Sequence, residues 1–163
     1  MPETSYIYLT LAGDFDPEEI ADMITLQPWQ SYKKNSRSVE HSLPRVSRLS
    51  YGKIEVAEEV PDVYAMSEQM VDLLEPYRDE FKAVSERSDV EACCSTCLWM
   101  MHNLSISTPP IGFSARAIAF IAYVGASIDI DTYRDDEPAN KTLVATGDNV
   151  LLEIELPFRR CHS

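Results

Sequence analysis

Hydrophobic and polar positions mark the elements of this chain one after another. The run from Tyr6 to Leu11, β-prone and closed by Ala12-Gly13-Asp14, predicts a first strand. Asp16-Pro17-Glu18-Glu19 then opens a helix. Asp16 can cap it, Pro17 suits the first helical position, and both glutamates sit where the helix dipole favours anions. Ile20, Met23 and Ile24 share its buried face as far as Leu26, and Gln27-Pro28-Trp29 ends it. The polar stretch 30–45 predicts a loop or a weak edge hairpin. Val46 to Val56 predicts a strand in which Leu49, Tyr51, Lys53 and Glu55 alternate against Ser50, Gly52, Ile54 and Val56, with Gly52 its weak point. Beyond Pro61-Asp62, the residues Val63, Met66, Met70, Leu73, Tyr77, Phe81 and Val84 recur at helical spacing and predict a long helix burying one stripe. Pro76 lies inside it, and a proline there removes a backbone donor, so a kink or break is expected near Leu74.

Val90 to Met101 is apolar on both faces and predicts a central strand. A turn region follows over 103–113. Ser114 caps a further helix with Ala117, Ile118, Ile121 and Val124 on its buried face and Gly125 at its end. Ser127 to Tyr133 reads as a strand with Ile128 and Ile130 buried and Asp129, Asp131 and Tyr133 on the other side. A polar loop over 135–146, a last strand from Val150 to Leu156 and a loose tail over 158–163 complete the chain. Strands and helices mix without strict βαβ repetition. The fold class is therefore α+β: a mostly antiparallel or mixed sheet of about five to six strands with about three helices packed on one face. With 163 residues, 1–163 is expected to form a single domain.

Charge narrows the range of partners. The formal net charge is −13, which opposes binding to a nucleic-acid backbone or an anionic membrane surface. No secretory signal or spanning segment is visible, so a cytoplasmic protein is expected. The charge is uneven. Six basic residues face one acid between Ser31 and Lys53, and twelve acids face three bases between Ile54 and Glu91. Within that second stretch Glu68, Asp72, Glu75 and Asp79 fall off the apolar stripe, and residues off the stripe must face outward because an unpaired buried carboxylate is too costly. They offer an acidic surface to a basic protein partner.

Candidate chemistry is sparse. Cys94-Ser95-Thr96-Cys97 is a C-x-x-C, but it falls in a strand, where residues three apart point to opposite faces and cannot converge on a metal. Reduced, structural cysteines are expected. His41, His102 and His162 form no metal pair and no nucleophile elbow. No glycine-rich phosphate cradle occurs among the five glycines. Asp129 and Asp131 share one strand face, a placement open to a divalent ion, to solvent or to a neighbouring loop. Trp29 and Trp99 are expected as core anchors. No catalytic residue, metal or cofactor is assigned.

Several of these segments together resemble the bacterial domain of unknown function 4279. They are Asp16-Pro17-Glu18-Glu19-Ile20, Leu26-Gln27-Pro28 with its basic sequel, Ile111-Gly112-Phe113-Ser114, and the run from Val124-Gly125-Ala126 to Asp131-Thr132-Tyr133. The likeness runs from Tyr6 to Tyr133, and the closing glycine, aspartate and tyrosine segment is its most specific part. Lys33-Lys34-Asn35-Ser36 and Ser47 to Tyr51 depart from the family pattern. The resemblance implies a small bacterial cytosolic protein, of a kind sometimes suspected to be an immunity protein against a toxin.

Two classes of function follow. One is a non-catalytic binding protein, immunity-like or an adaptor, that presents Glu68, Asp72, Glu75 and Asp79 to a basic protein. The other is a small enzyme or ligand-binding protein with a pocket near the 129–133 strand, formed by Asp129, Asp131, Tyr133 and His102. A deep pocket of converging polar groups would favour the second.

Overall fold

The computed structural model describes residues 4–36, 46–58, 60–101, 110–135, 144–146 and 150–152. Strand β1 (Ser5–Gly13) pairs antiparallel with both β3 (Ser47–Val56) and β4 (Val90–Met101). A short β2 (Gln30–Tyr32) borders β3, and β5 (Ser127–Asp135) runs parallel to β4. The sheet is mixed, five-stranded, in the order β2-β3-β1-β4-β5. The expected α+β class holds. A separate two-stranded ribbon joins β6 (Val144–Thr146) and β7 (Val150–Leu152). The polar pattern of 135–146 hides β6, and residues 153–156 of the expected last strand, like the tail over 158–163, lie outside the described residues.

The helix starts follow their caps. Asp16 accepts from the Glu18 backbone N–H at the head of α1 (Pro17–Asp22), which is shorter than its apolar face predicts. Asp62 accepts from Ala65 N–H at the head of α2 (Val63–Leu74). Ser114 accepts from Ala117 N–H at the head of α4 (Ala115–Tyr123), and Gly125 adopts φ +69° just past its end. Pro76 acts as expected: α2 stops at Leu74, a 3₁₀ turn spans Glu75–Tyr77, and α3 (Arg78–Ser85) resumes.

The helices bury their apolar stripes on one face of the sheet. Ile7, Leu9, Leu11, Leu49, Tyr51, Met66, Met70, Leu74, Phe81 and Val124 sit in one core, with the Tyr51 and Phe81 rings edge to face at 5.1 Å. Fully burying side chains of this size stabilises the fold by about 1.5–3 kcal/mol each. Three predicted faces need correction. On α2 the stripe turns through Val71 and Leu74, and Leu73 is 49% exposed. On α4, Phe120 is buried and Ile118 is 52% exposed. On β5, Ile128 is on the helix side as expected yet 43% exposed, because β5 is an edge strand with a neighbour on one side only; Ile130 is half-buried.

The alternation of β3 is the fourth correction. Leu49 pairs with Leu11 and Tyr51 with Leu9, but Ile54 pairs with Ile7. Gly52 and Lys53 together therefore oppose Tyr8, a β-bulge with Gly52 at φ +63°, the left-handed conformation that a glycine adopts without penalty. The extra residue shifts the phase. Leu49, Tyr51, Ile54 and Val56 all end on the helix side, while Ser50, Lys53 and Glu55 lie on the opposite face.

Candidate functional site

The face of the sheet away from the helices carries the less expected chemistry. Cross-strand pairing aligns Glu55, Tyr6, Cys97 and Asp131 in one row, and Tyr8, Ser95 and Asp129 in the next. Trp99 and Tyr133 pair farther along and stack at 4.7 Å. Tyr6 and Tyr8 stack at 5.8 Å, and Trp29 meets Tyr8 edge to face at 5.5 Å. These rings are half-buried or exposed. Trp29 is 42% exposed, and Trp99 stands on the strand opposite the core. Neither tryptophan is the core anchor expected of it. The bulge delivers Lys53 among the rings: its ammonium lies 5.0 Å from the Tyr6 centroid, 4.9 Å from that of Trp29 and 2.8 Å from the Glu55 carboxylate.

Titration on this face follows the same neighbours. Hydrogen bonding toward the Cys97 thiol, then burial, pushes the Tyr6 phenol up. Burial raises the Cys97 thiol, and the Asp131 carboxylate beside Tyr133 raises that phenol. Lys53 holds the Glu55 carboxyl below the usual range, helped by the Thr4 hydroxyl. Asp129 and Asp131 are exposed, as expected, and Tyr133 joins them. His102, the fourth residue of that predicted pocket, lies outside the described residues, as do His41, His162 and Cys161.

The four acidic residues of the expected partner surface, Glu68, Asp72, Glu75 and Asp79, are outward, but all four are engaged. Glu68 accepts from the Ser114 hydroxyl and from Arg116 at 3.0 Å, and the same guanidinium reaches Asp72 at 2.7 Å. Ser114 first, then Arg116, holds the Glu68 carboxyl low. Glu75 pairs with Arg78 at 3.0 Å, and Asp79 accepts from the Tyr123 hydroxyl at 2.6 Å. The contacts of Glu68, Asp72 and Asp79 fasten α4 to α2 and α3. Exposed pairs of this kind contribute little stability, because solvent screens them.

Cys94 and Cys97 are both buried on strand β4, on opposite faces of the sheet, and no disulfide joins the described cysteines. Among the described residues no group of three or more histidines, cysteines, aspartates or glutamates is placed to hold a metal ion. No helix among them is long and apolar enough to cross a membrane.

The architecture is that of an α+β protein with one sheet face under helices and the other aromatic. The family model described as a domain of unknown function, DUF4279, matches residues 3–135, from the start of β1 to the end of β5. The chain belongs to that family. No curated protein and no solved structure matches it.

Proposed function

We propose that this protein is a non-catalytic, cytoplasmic binding protein whose acidic helix layer receives a basic protein partner, in the manner of an immunity protein or an adaptor. One observation carries the reading: carboxylates outnumber cations on the outward side of α1, α2 and α3, and several stay exposed even where they are engaged. Glu18 and Asp22 are exposed and make no ion pair among the described residues, while Asp62, Asp72, Asp79 and Glu86 remain exposed although Asp62 caps α2, Asp72 meets Arg116, Asp79 meets Tyr123 and Glu86 meets Lys82. Arg78, Arg87 and Arg116 are each already committed to carboxylates of the same chain. A surface of one sign attracts an oppositely charged protein over a Debye length, about 8 Å at physiological salt.

The test is to isolate the partner by cross-linking in the source cell, then measure association at low and high salt. The charge-reversed variant Asp72→Lys, Asp79→Lys should bind several-fold more slowly, with a thermal melt showing that the fold survives. Association insensitive to both salt and charge reversal refutes the reading. A second reading, a ligand-binding protein with its site near Asp129, Asp131 and Tyr133, is favoured by the half-exposed aromatic rings on that same sheet face. Tyrosine and tryptophan exposed together are the composition of binding surfaces.

A further inference from the structure

We propose that the aromatic sheet face holds a site for a small alkylammonium cation, formed by Tyr6, Trp29 and Glu55 and occupied in the free protein by the chain's own Lys53. The proposal rests on the ligand-binding reading of this face and names its ligand class.

The argument begins with the rings. An aromatic face carries negative charge density, and a cation within about 6 Å of the centroid is attracted to it. The structure already seats a cation at such a point, since the Lys53 ammonium is 5.0 Å from one ring centre and 4.9 Å from the other. Tyr8 supports both walls, stacked on Tyr6 and edge-on to Trp29. Glu55 completes the site with an anion 2.8 Å from the ammonium. Asp131 stands in the same cross-strand row as Glu55 and Tyr6, so the charge around the rings is complementary to a cation.

Lys53 is a replaceable occupant. Its side chain keeps about a quarter of its surface exposed, at 26%, and rotates about four bonds. An entering ammonium can take its place between the rings while Lys53 swings outward into solvent and leaves Glu55 to the incoming cation. A quaternary ammonium suits the position better than lysine does, because its charge is spread over methyl groups that lose little hydration against aromatic faces. The cost of displacing Lys53 lowers the apparent affinity by the fraction of time the site is free.

Calorimetric titration of the full chain tests this with choline and with 3,3-dimethyl-1-butanol, its uncharged isostere. Choline should bind the wild type weakly and Lys53→Ala about tenfold more tightly, and the isostere should bind neither. Adding Trp29→Leu to Lys53→Ala should abolish choline binding. Trp29 is half exposed, so a thermal melt should show that this variant is folded. Absence of saturable choline binding to Lys53→Ala overturns the proposal, as does choline binding that survives Trp29→Leu. Equal binding of choline and the isostere, lost on Trp29→Leu, overturns the cation site and leaves the face a ligand surface. If neither probe binds any variant, the cation site fails. Chemical-shift changes on this face with an uncharged fragment mixture would then show whether the broader ligand-binding reading stands.

Discussion

Replacing Gly52 by alanine should destabilise the protein by about 1–4.5 kcal/mol, and the contributions can be worked separately. Gly52 has φ +63°, where a side-chain Cβ crowds the following carbonyl at a cost of about 1–2 kcal/mol. The new Cβ would also stand 2.7 Å from Leu74 Cδ2 and 2.8 Å from its Cγ. Leu74 is fully buried at the end of α2, so its side chain must shift within the core to admit the methyl. Overpacking of this kind costs about 1–3 kcal/mol. Alanine recovers only about 0.4–1 kcal/mol by restricting the unfolded chain. Urea denaturation should show the loss as a lower midpoint with an unchanged slope, and a thermal melt as a fall of about 2–4 °C per kcal/mol. The clash can be isolated with Leu74→Ala, which alone should cost about 2–5 kcal/mol. The double variant should fall short of the summed losses by about 1–2 kcal/mol, because truncating Leu74 clears the space the new methyl needs. A Gly52→Ala protein within about 0.5 kcal/mol of the wild type, the ordinary range for a surface substitution, would refute the reasoning.

Ser47→Ala should cost about 1–3 kcal/mol in the same denaturation assay, since the fully buried Ser47 hydroxyl donates to the Phe15 carbonyl at 2.6 Å and accepts from Lys34 N–H at 3.1 Å. Stability should also fall at alkaline pH. Burial pushes the Cys94 thiol up to about 12 and the Tyr51 phenol up to about 12. The unfolded chain releases these protons first, so the stability they contribute is complete below about pH 8.5 and is lost as pH rises, at about 1.4 kcal/mol per pH unit for the thiol. Cys94→Ala should reduce the pH dependence between about 8.5 and 10 and leave the part due to the Cys97 thiol, which burial also raises; an unchanged slope would exclude Cys94 as a source. Thiol labelling should modify Cys93 before Cys94 and Cys97, which are buried where Cys93 is half-buried, and labelling of Cys94 before Cys93 would contradict their assignment to opposite faces of β4.

The parts of the fold that the chain spells out locally are those whose physics is local. Asp16-Pro17, Ser114, Gly125 and Pro76 each act within one helical turn, through a hydrogen bond, a missing donor or a permitted φ. Their consequences can be read without knowing what packs where. Leu73, Ile118 and Ile128 are different. Each is apolar at a plausible spacing, but which neighbour the core receives depends on how α2, α4 and β5 meet the sheet. The acidic stripe is half legible: outward placement of Asp72 and Asp79 follows from periodicity, whereas capture by Arg116 and Tyr123 depends on α4 lying beside α2 and α3. The aromatic face had a signal that could have revealed it. Tyr6 and Tyr8 alternate with Ile7, Leu9 and Leu11, so in a strand they must occupy the side opposite that apolar set.

The bulge in β3 shows why the two faces of the sheet belong to one design. From Leu49 to Val56 the alternation is regular if Gly52 is passed over: Leu49, Tyr51, Ile54 and Val56 form one apolar set. The slip in phase and the glycine coincide, which is the sequence mark of a bulge in an antiparallel strand. A strict period of two would carry Lys53 and Glu55 under α2 and turn Ile54 and Val56 away from it. That arrangement would turn two charges toward the core where the fold now packs two half-buried aliphatic side chains. The extra residue avoids this, and it also leaves Lys53 unpaired in the ladder opposite Tyr8. From there its ammonium reaches Tyr6, Trp29 and Glu55. The left-handed glycine therefore works on both faces: it absorbs the slip in phase so that Ile54 and Val56 meet the helices, and it leaves Lys53 opposite Tyr8, within reach of the Tyr6 and Trp29 rings.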